Sequence, residues 1–504
     1  MKKNIFANFV GRFWSILSNF LFIPLYINIL GFESYSVISF TLVIAGLMAF
    51  LDSGITATLS REFARNDNSR EKKIKIFKTL ETLYFGLIIF AILLVVLLSH
   101  TIASKWLNLK TIPPEQVVLF LKIISLDIGF QLLLRFYTGG WLGLEKQVKA
   151  NAFLVGWGIL RNGLVVIAIL IKPSLLVFFT WQTGSTILFA LLIGLMLRKE
   201  LTGKLKFDFK FKIDRSVLKS IWRFAGGMLL ISLVAGLNTQ MDKMAITKML
   251  PVECLGYYSL AVSLSMGIIV LVNPISTAVL PRFTTLFSEG KNRVASKLFS
   301  DINIIVTILV FSVMANMNFY AHDLIWIWTN KNDIASEVAP LLPTIAFAIA
   351  MLALQILPFN IAIANGYTRL NNVLGISSLI ITLPGYWIAT RQFGPIGAAT
   401  VYCVVQTFIT VIYTYVISRK FLSQYKWSMS FLNQFLMPLI TSFGIAFIFS
   451  IIPNITNDNR IFSLLWIGLG TLVTFLGTLA LLIRKNPIQI ILSLFSTKNN
   501  QLQI

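Results

Sequence analysis

Among the ionisable residues inside the long apolar runs of this 504-residue chain, seven stand out: Arg12, Asp52, Lys122, Asp127, Arg161, Asp242 and Lys243. A charge facing hydrocarbon costs about 2.5–3.5 kcal/mol on insertion scales, and seven would cost on the order of 20 kcal/mol. They must therefore face a wet interior, pair, or reach an interface. Two kinds of chemistry suit such residues. A fixed cation can hold an anion, Arg through a bidentate fork and Lys as a point charge. A carboxyl in a low-dielectric cavity can load and release a proton.

On helical spacing Ser232, Gly236, Thr239, Lys243 and Thr247 share one face, flanked by Asn238 and Asp242. That face is polar where lipid would want Leu. Arg161 lies near the middle of its run beside Asn162, too deep to snorkel, and reads as an anion-binding side chain; an ion pair with Asp127 or Asp52 is the structural alternative. Arg12 shares a face with Asn8, Ser15, Asn19 and Tyr26 and would guard an inner mouth. Arg161, Lys243 and Arg12 are thus the candidate substrate-binding cations. Asp242, Asp52 and Asp127 are the candidate ion-coupling carboxylates. Asp127, Gln131 and Arg135 stack at i, i+4 and i+8 as a further polar stripe, and Lys122 reads as snorkelling to the outer interface.

Enzyme signals are poor. His100 and His322 have no metal-ligand partner spacing, and the chain contains no His-Glu-x-x-His, Cys-x-x-Cys, Walker glycine loop or Asp-rich diphosphate motif. No cofactor or metal is expected. Cys254 and Cys403 set no disulfide framework.

The elements carrying these residues follow from composition. The chain is 56% hydrophobic and 12% charged, with mean hydropathy +0.80. Apolar runs of about 20 residues recur throughout, each long enough to cross a bilayer as a helix. Backbone groups in lipid must be satisfied internally, so the choice is helices or a closed barrel, and the runs lack the alternation a barrel needs. The fold class is an all-α polytopic membrane protein with about fourteen spans, roughly 8–30, 35–57, 81–104, 116–138, 150–171, 174–197, 220–248, 255–280, 301–328, 338–364, 372–392, 397–418, 431–452 and 461–483. The first run is too long for a signal-peptide core.

Net charge is +23. About 32 of the 43 Lys and Arg fall on the connections of one side and seven on the other. That bias puts both termini in the cytoplasm and explains the charge by topology and anionic head groups, with no nucleic-acid partner. The longest polar stretch, 198–219, alternates with period two through Lys204-Leu-Lys-Phe-Asp-Phe-Lys-Phe-Lys-Ile-Asp214; it reads as a cytoplasmic linker or a segment lying on the inner leaflet.

An internal repeat supports that division. Leu30-Gly-Phe-Glu33 aligns with Leu250-Pro-Val-Glu253 at offset 220, Arg61 with Arg282 at 221, and Gly143-Leu-Glu-Lys146 with Gly366-Tyr-Thr-Arg369 at 223. The expected organisation is a six-helix bundle over 1–197, the linker 198–219, a second six-helix bundle over 220–420, and two extra helices with a short tail over 421–504. Such repeats usually enclose a site near the midplane.

Ile29-Leu-Gly-Phe-Glu-Ser-Tyr35, Leu51-Asp-Ser-Gly54 with Arg61, Gly143-Leu-Glu-Lys-Gln147, Gln240-Met-Asp-Lys243 with Leu255-Gly-Tyr-Tyr258, Leu280-Pro-Arg282 and Gly394-Pro-Ile-Gly-Ala398 resemble polysaccharide exporters in this order. Over roughly 5–420 the chain is similar to the O-antigen and capsule lipid-linked oligosaccharide flippases of the multidrug/oligosaccharidyl-lipid/polysaccharide exporter superfamily. The resemblance implies two bundles around a cationic cavity, alternating access, an undecaprenyl-diphosphate-linked glycan as cargo, the bacterial inner membrane, and a glycan polymerase and export machinery as neighbours. Ser36 departs from the glycine usual there, and the two extra spans are reminiscent of peptidoglycan lipid II flippases. A multidrug or cation antiporter is the alternative within the superfamily. A membrane glycan polymerase, which would carry a large outer loop, is the alternative outside it.

Overall fold

The computed structural model describes Ser18 and residues 20–65, 69–203, 213–422, 427–452 and 459–483. The described residues are helical almost throughout. Among the described residues twelve helical segments are long and apolar enough to cross a membrane, and a shorter apolar helix, α1, covers Phe20–Leu30. Together with the 35-residue helix Arg215–Met249 they match the fourteen expected spans. The chain is a multi-pass membrane protein.

In order, α2 is Phe32–Met48, α3 Ser53–Ala64, α4 Arg70–Thr101, α5 Pro114–Gly143, α6 Gln147–Gly158, α7 Val165–Ile171, α8 Leu175–Thr202 and α9 Arg215–Met249. Then follow α10 Val252–Ser265, α11 Gly267–Ser288, α12 Asn292–Phe319, α13 Ala321–Thr329, α14 Asn332–Val338, α15 Leu342–Ala364, α16 Arg369–Phe393 and α17 Pro395–Phe421. The last are α18 Trp427–Phe431, α19 Met437–Ile451 and α20 Arg460–Leu482. Local chemistry sets several ends. Ser174 caps α8 through the Leu176 N–H at 3.2 Å, and Gly203 closes it at φ 78°, where a side chain would strain. Asp214 caps α9 by accepting from Ser216 N at 2.9 Å, and these bonds hold its carboxyl below the usual range.

Two expectations change at this level. The span beginning at 81 is part of a longer helix, because the charged residues from Arg70 onward continue the turn started at the Ser69 cap. The span expected over 301–328 is two helices, α12 and α13, broken at Tyr320 (φ −109°, ψ 30°).

Contacts divide the chain into two compact units. One takes in Met1–Tyr257 with Tyr386–Pro395, the other Tyr258–Gly385 with Ile396–Ile504. In the first unit α5 is the central post, packed against α3, α4 and α8. Its glycines allow close approach: a Cβ on Gly139 would lie 2.4 Å from Thr56 Cγ2, and one on Gly143 2.5 Å from the Ser60 carbonyl. Leu59, Phe63, Tyr84, Phe136, Tyr137 and Trp141 form the core there, with Tyr84 stacked on Phe136 at 4.6 Å. Helix α9 packs along α2 and α3, with Gln240 against Gly46 and Gly236 against Phe50. At the other end of α2, Glu33 accepts from the Lys110 and Thr111 N–H groups at 2.7 and 3.1 Å, while Lys110 pairs with Glu253 at 3.1 Å. The repeat-related positions Ser36 and Gly256 touch directly.

In the second unit α11, which carries Pro274 and Pro281 within it, packs on α15, and α12 packs on α15, α19 and α20. The last two helices are held by small and polar residues, as membrane helices are. Asn316 donates to Thr474 Oγ1 at 3.1 Å, Ser442 and Thr478 hydroxyls meet at 3.2 Å, and Gly470 sits against Phe449.

Candidate functional site

Arg161 lies in a π-helical turn, Ile159–Gly163, that interrupts the helix between α6 and α7. Such a turn frees carbonyls, and here side chains take them. Trp181 Nε1 donates to Leu160 O at 2.9 Å and the Tyr26 hydroxyl donates to Asn162 O at 2.6 Å. The bulge aims the guanidinium at α5 and α8. Nη1 donates to Asp127 Oδ1 at 2.6 Å and Nη2 to Asp127 Oδ2 at 2.8 Å, a bidentate pair. Nη1 also reaches Thr186 Oγ1 at 2.6 Å and Gln182 O at 3.2 Å. Gln131 Nε2 donates to Asp127 Oδ2 at 2.8 Å. Both charged side chains are buried. This is a closed, neutral network: the planar fork of Arg161 is committed to Asp127, the structural alternative recognised in the sequence.

A second polar level lies where α2 ends in a 3-10 turn (Ala49–Leu51) and Asp52 leads into α3. The Asp52 carboxylate is buried and accepts from the Thr56 and Tyr84 hydroxyls. The Tyr84 hydroxyl also lies 3.0 Å from Leu132 O. Thr56 faces Gly139 and Ser60 faces Gly143, so α3 and α5 run alongside in fixed register, and one turn back Asp52 stands level with Arg135. Arg135 is exposed and makes no hydrogen bond or ion pair among the described residues; it acts on Asp52 through space.

Three residues earlier on α4 than Tyr84, Glu81 accepts from the Tyr137 hydroxyl at 2.7 Å and pairs with Arg198 of α8, all three buried. The triad is hidden in the sequence, because Glu81 and Arg198 stand at span edges, where a charge looks interfacial.

On α9, Asp242 is buried and Lys243 half-buried. Lys243 Nζ donates to Thr239 O at 2.9 Å and lies 3.7 Å from Asp242 Oδ1. Lys243 thus keeps an ammonium bonded mainly to its own helix, with donors to spare. Among the described residues no hydrogen bond or ion pair joins Lys243 to Arg161. Arg12 lies outside the described residues, as do residues 204–212 of the linker.

The fold is shared with solved membrane-protein structures. It superposes on a solved structure titled "Lipid II flippase MurJ, inward closed conformation" with TM-score 0.72, 16% identity, and coverage of 95% of this chain and 98% of that one. It superposes on an inward-facing multidrug resistance MATE family transporter of the MOP superfamily with TM-score 0.62, 15% identity, and coverage of 80% and 94%. The sequence profile of the family described as "Polysaccharide biosynthesis protein" matches residues 1–287, and the chain belongs to that family. A protein of Shigella flexneri named "Putative O-antigen transporter" is 18% identical over 378 residues, covering 73% of this chain and 86% of that protein.

Proposed function

We propose that the chain is a flippase that carries an undecaprenyl-diphosphate-linked oligosaccharide, such as an O-antigen or capsule repeat, from the inner to the outer leaflet of the bacterial inner membrane. Both termini and the 198–219 linker face the cytoplasm, and the repeat halves 1–197 and 220–420 alternate access to the cargo. Family membership supports this reading, and so does the scarcity of enzyme motifs.

The observation that carries it is Lys243: an ammonium on a membrane helix, bonded to its own backbone at 2.9 Å and weakly to Asp242 at 3.7 Å. A point charge with spare donors suits the diphosphate, which must cross a low-dielectric region where Coulomb attraction is strong. Asp242, Asp52 and Asp127 are the carboxylates through which an ion gradient would act. Of these, Asp127 already serves Arg161. Arg161 contacts cargo only if that pair opens, and Arg12 would guard the inner mouth. Transport of peptidoglycan lipid II is the second reading, favoured by a fold similarity that spans the last two helices as well.

The test is surface glycan in cells that depend on this protein. Lys243→Ala is expected to lower it about tenfold or more at unchanged protein level, the effect of removing a charge-assisted contact of about 1.5–3 kcal/mol. Wild-type glycan in that variant removes Lys243 from the site.

A further inference from the structure

The Tyr84 hydroxyl carries one proton and meets two oxygens, a carboxylate oxygen of Asp52 and Leu132 O at 3.0 Å. The carbonyl can only accept. When Tyr84 donates to Leu132 O, its contact with Asp52 is a hydrogen bond only if Asp52 holds a proton. When Tyr84 turns its proton to Asp52, the contact suits the ionised carboxylate, and Leu132 O still has its helical partner. One arrangement of heavy atoms therefore serves both protonation states, with nothing orphaned in either. The site sits at a break in the helix, the 3-10 turn Ala49–Leu51, a feature that often marks a hinge.

Arg135 stands level with this pair by the register of α3 on α5. The other charged groups nearby are already matched. On α4 and α5, Glu81 and Tyr137 are bonded to each other and to Arg198 of α8. On α3 itself Arg61 pairs with Glu62 at 2.7 Å. Helix α9, which packs against α3, carries no titratable residue from 224 to 241. Ionised Asp52 is thus the anion that offsets Arg135. Once Asp52 is protonated the exposed guanidinium loses that anion, and an anionic ligand takes its place.

We propose that Arg135 is a phosphate-binding residue whose occupancy is linked to uptake of one proton by Asp52, with Tyr84 as the hydroxyl that turns between them. The proton comes from water and no covalent bond changes. By linkage the effect is reciprocal: a bound phosphate group favours protonated Asp52, and low pH favours binding. The proposal rests on the diphosphate cargo reading above and adds a residue and a regulation to it.

The experiment uses the full chain in nanodiscs of neutral lipid and farnesyl diphosphoglucose, a diester whose phosphates stay ionised throughout, so that only the protein titrates. Binding is measured at about pH 5.5 and about pH 8, either side of the usual histidine range. Wild type should bind about tenfold more tightly at the lower pH, within the usual span of coupling between sites. Asp52→Asn should bind alike at both, near the low-pH wild-type affinity. Arg135→Gln should lose about tenfold or more at the lower pH, and Arg135→Lys should regain part. Tyr84→Phe removes a donor to the ionised carboxylate and should move the pH midpoint upward; it keeps the test open if Asp52→Asn does not fold. Wild-type binding that ignores pH, or Arg135→Gln binding as wild type, overturns this site and leaves the cargo reading in place. Wild type that binds at neither pH overturns both.

Discussion

Arg161 shows how the same side chain can serve a site or a scaffold. Its fork holds both Asp127 oxygens, at 2.6 and 2.8 Å, inside a turn whose freed carbonyls are bound by Trp181 and Tyr26. Removing one partner of a buried pair leaves an uncompensated charge and costs about 3–5 kcal/mol. Arg161→Ala is therefore expected to lower the amount of folded protein in the membrane, and Arg161→Ala with Asp127→Asn to recover much of it, as read by blotting membrane fractions. A single variant that stays at wild-type level in the membrane but cannot export glycan would return Arg161 to the cargo site. Sequence alone put Arg161 and Asp127 in the membrane but could not choose between pairing and binding. The choice depends on a π turn that rotates the side chain, and no residue pattern announces such a turn. Asp52 was legible through its depth in an apolar run. Its partner Tyr84 was not, because a tyrosine in an apolar run reads as core until the helices are docked.

At the scale of elements, the positions of the helices were largely legible because a bilayer imposes one length on every span. Sequence and structure part where that rule loosens. Charged residues continue α4 outside the hydrocarbon, and polar residues near Tyr320 separate α12 from α13. The docking of α3 on α5 was hidden, since Gly139 and Gly143 carry no hydropathy signal of their own; what matters is the space they leave for Thr56 and Ser60. Helix ends also carry the proposed orientation. Thr202 closes the last turn of α8 and is exposed. A single cysteine placed there should resist a membrane-impermeant thiol reagent in intact cells and react after the membrane is opened. Labelling in intact cells would reverse the cytoplasmic assignment of the linker.

For the whole molecule, the proposed reading draws on the lopsided placement of Lys and Arg and on membership of a polysaccharide biosynthesis family. Positions that the sequence aligns at offset 220 meet in the fold: Ser36 lies against Gly256, and Glu33 and Glu253 engage the same Lys110–Thr111 stretch. The central claim is that a diphosphate-linked glycan crosses the membrane through this protein. Its most direct test is the full chain reconstituted in liposomes with a fluorescent lipid-diphosphate oligosaccharide, followed by the fraction that an external glycosidase can reach. Wild-type vesicles should expose the inner-leaflet pool within minutes and Lys243→Ala vesicles should not. A wild-type pool that stays protected, in vesicles that instead accumulate a cationic dye against an ion gradient, would contradict the account and make the protein a drug or cation exporter.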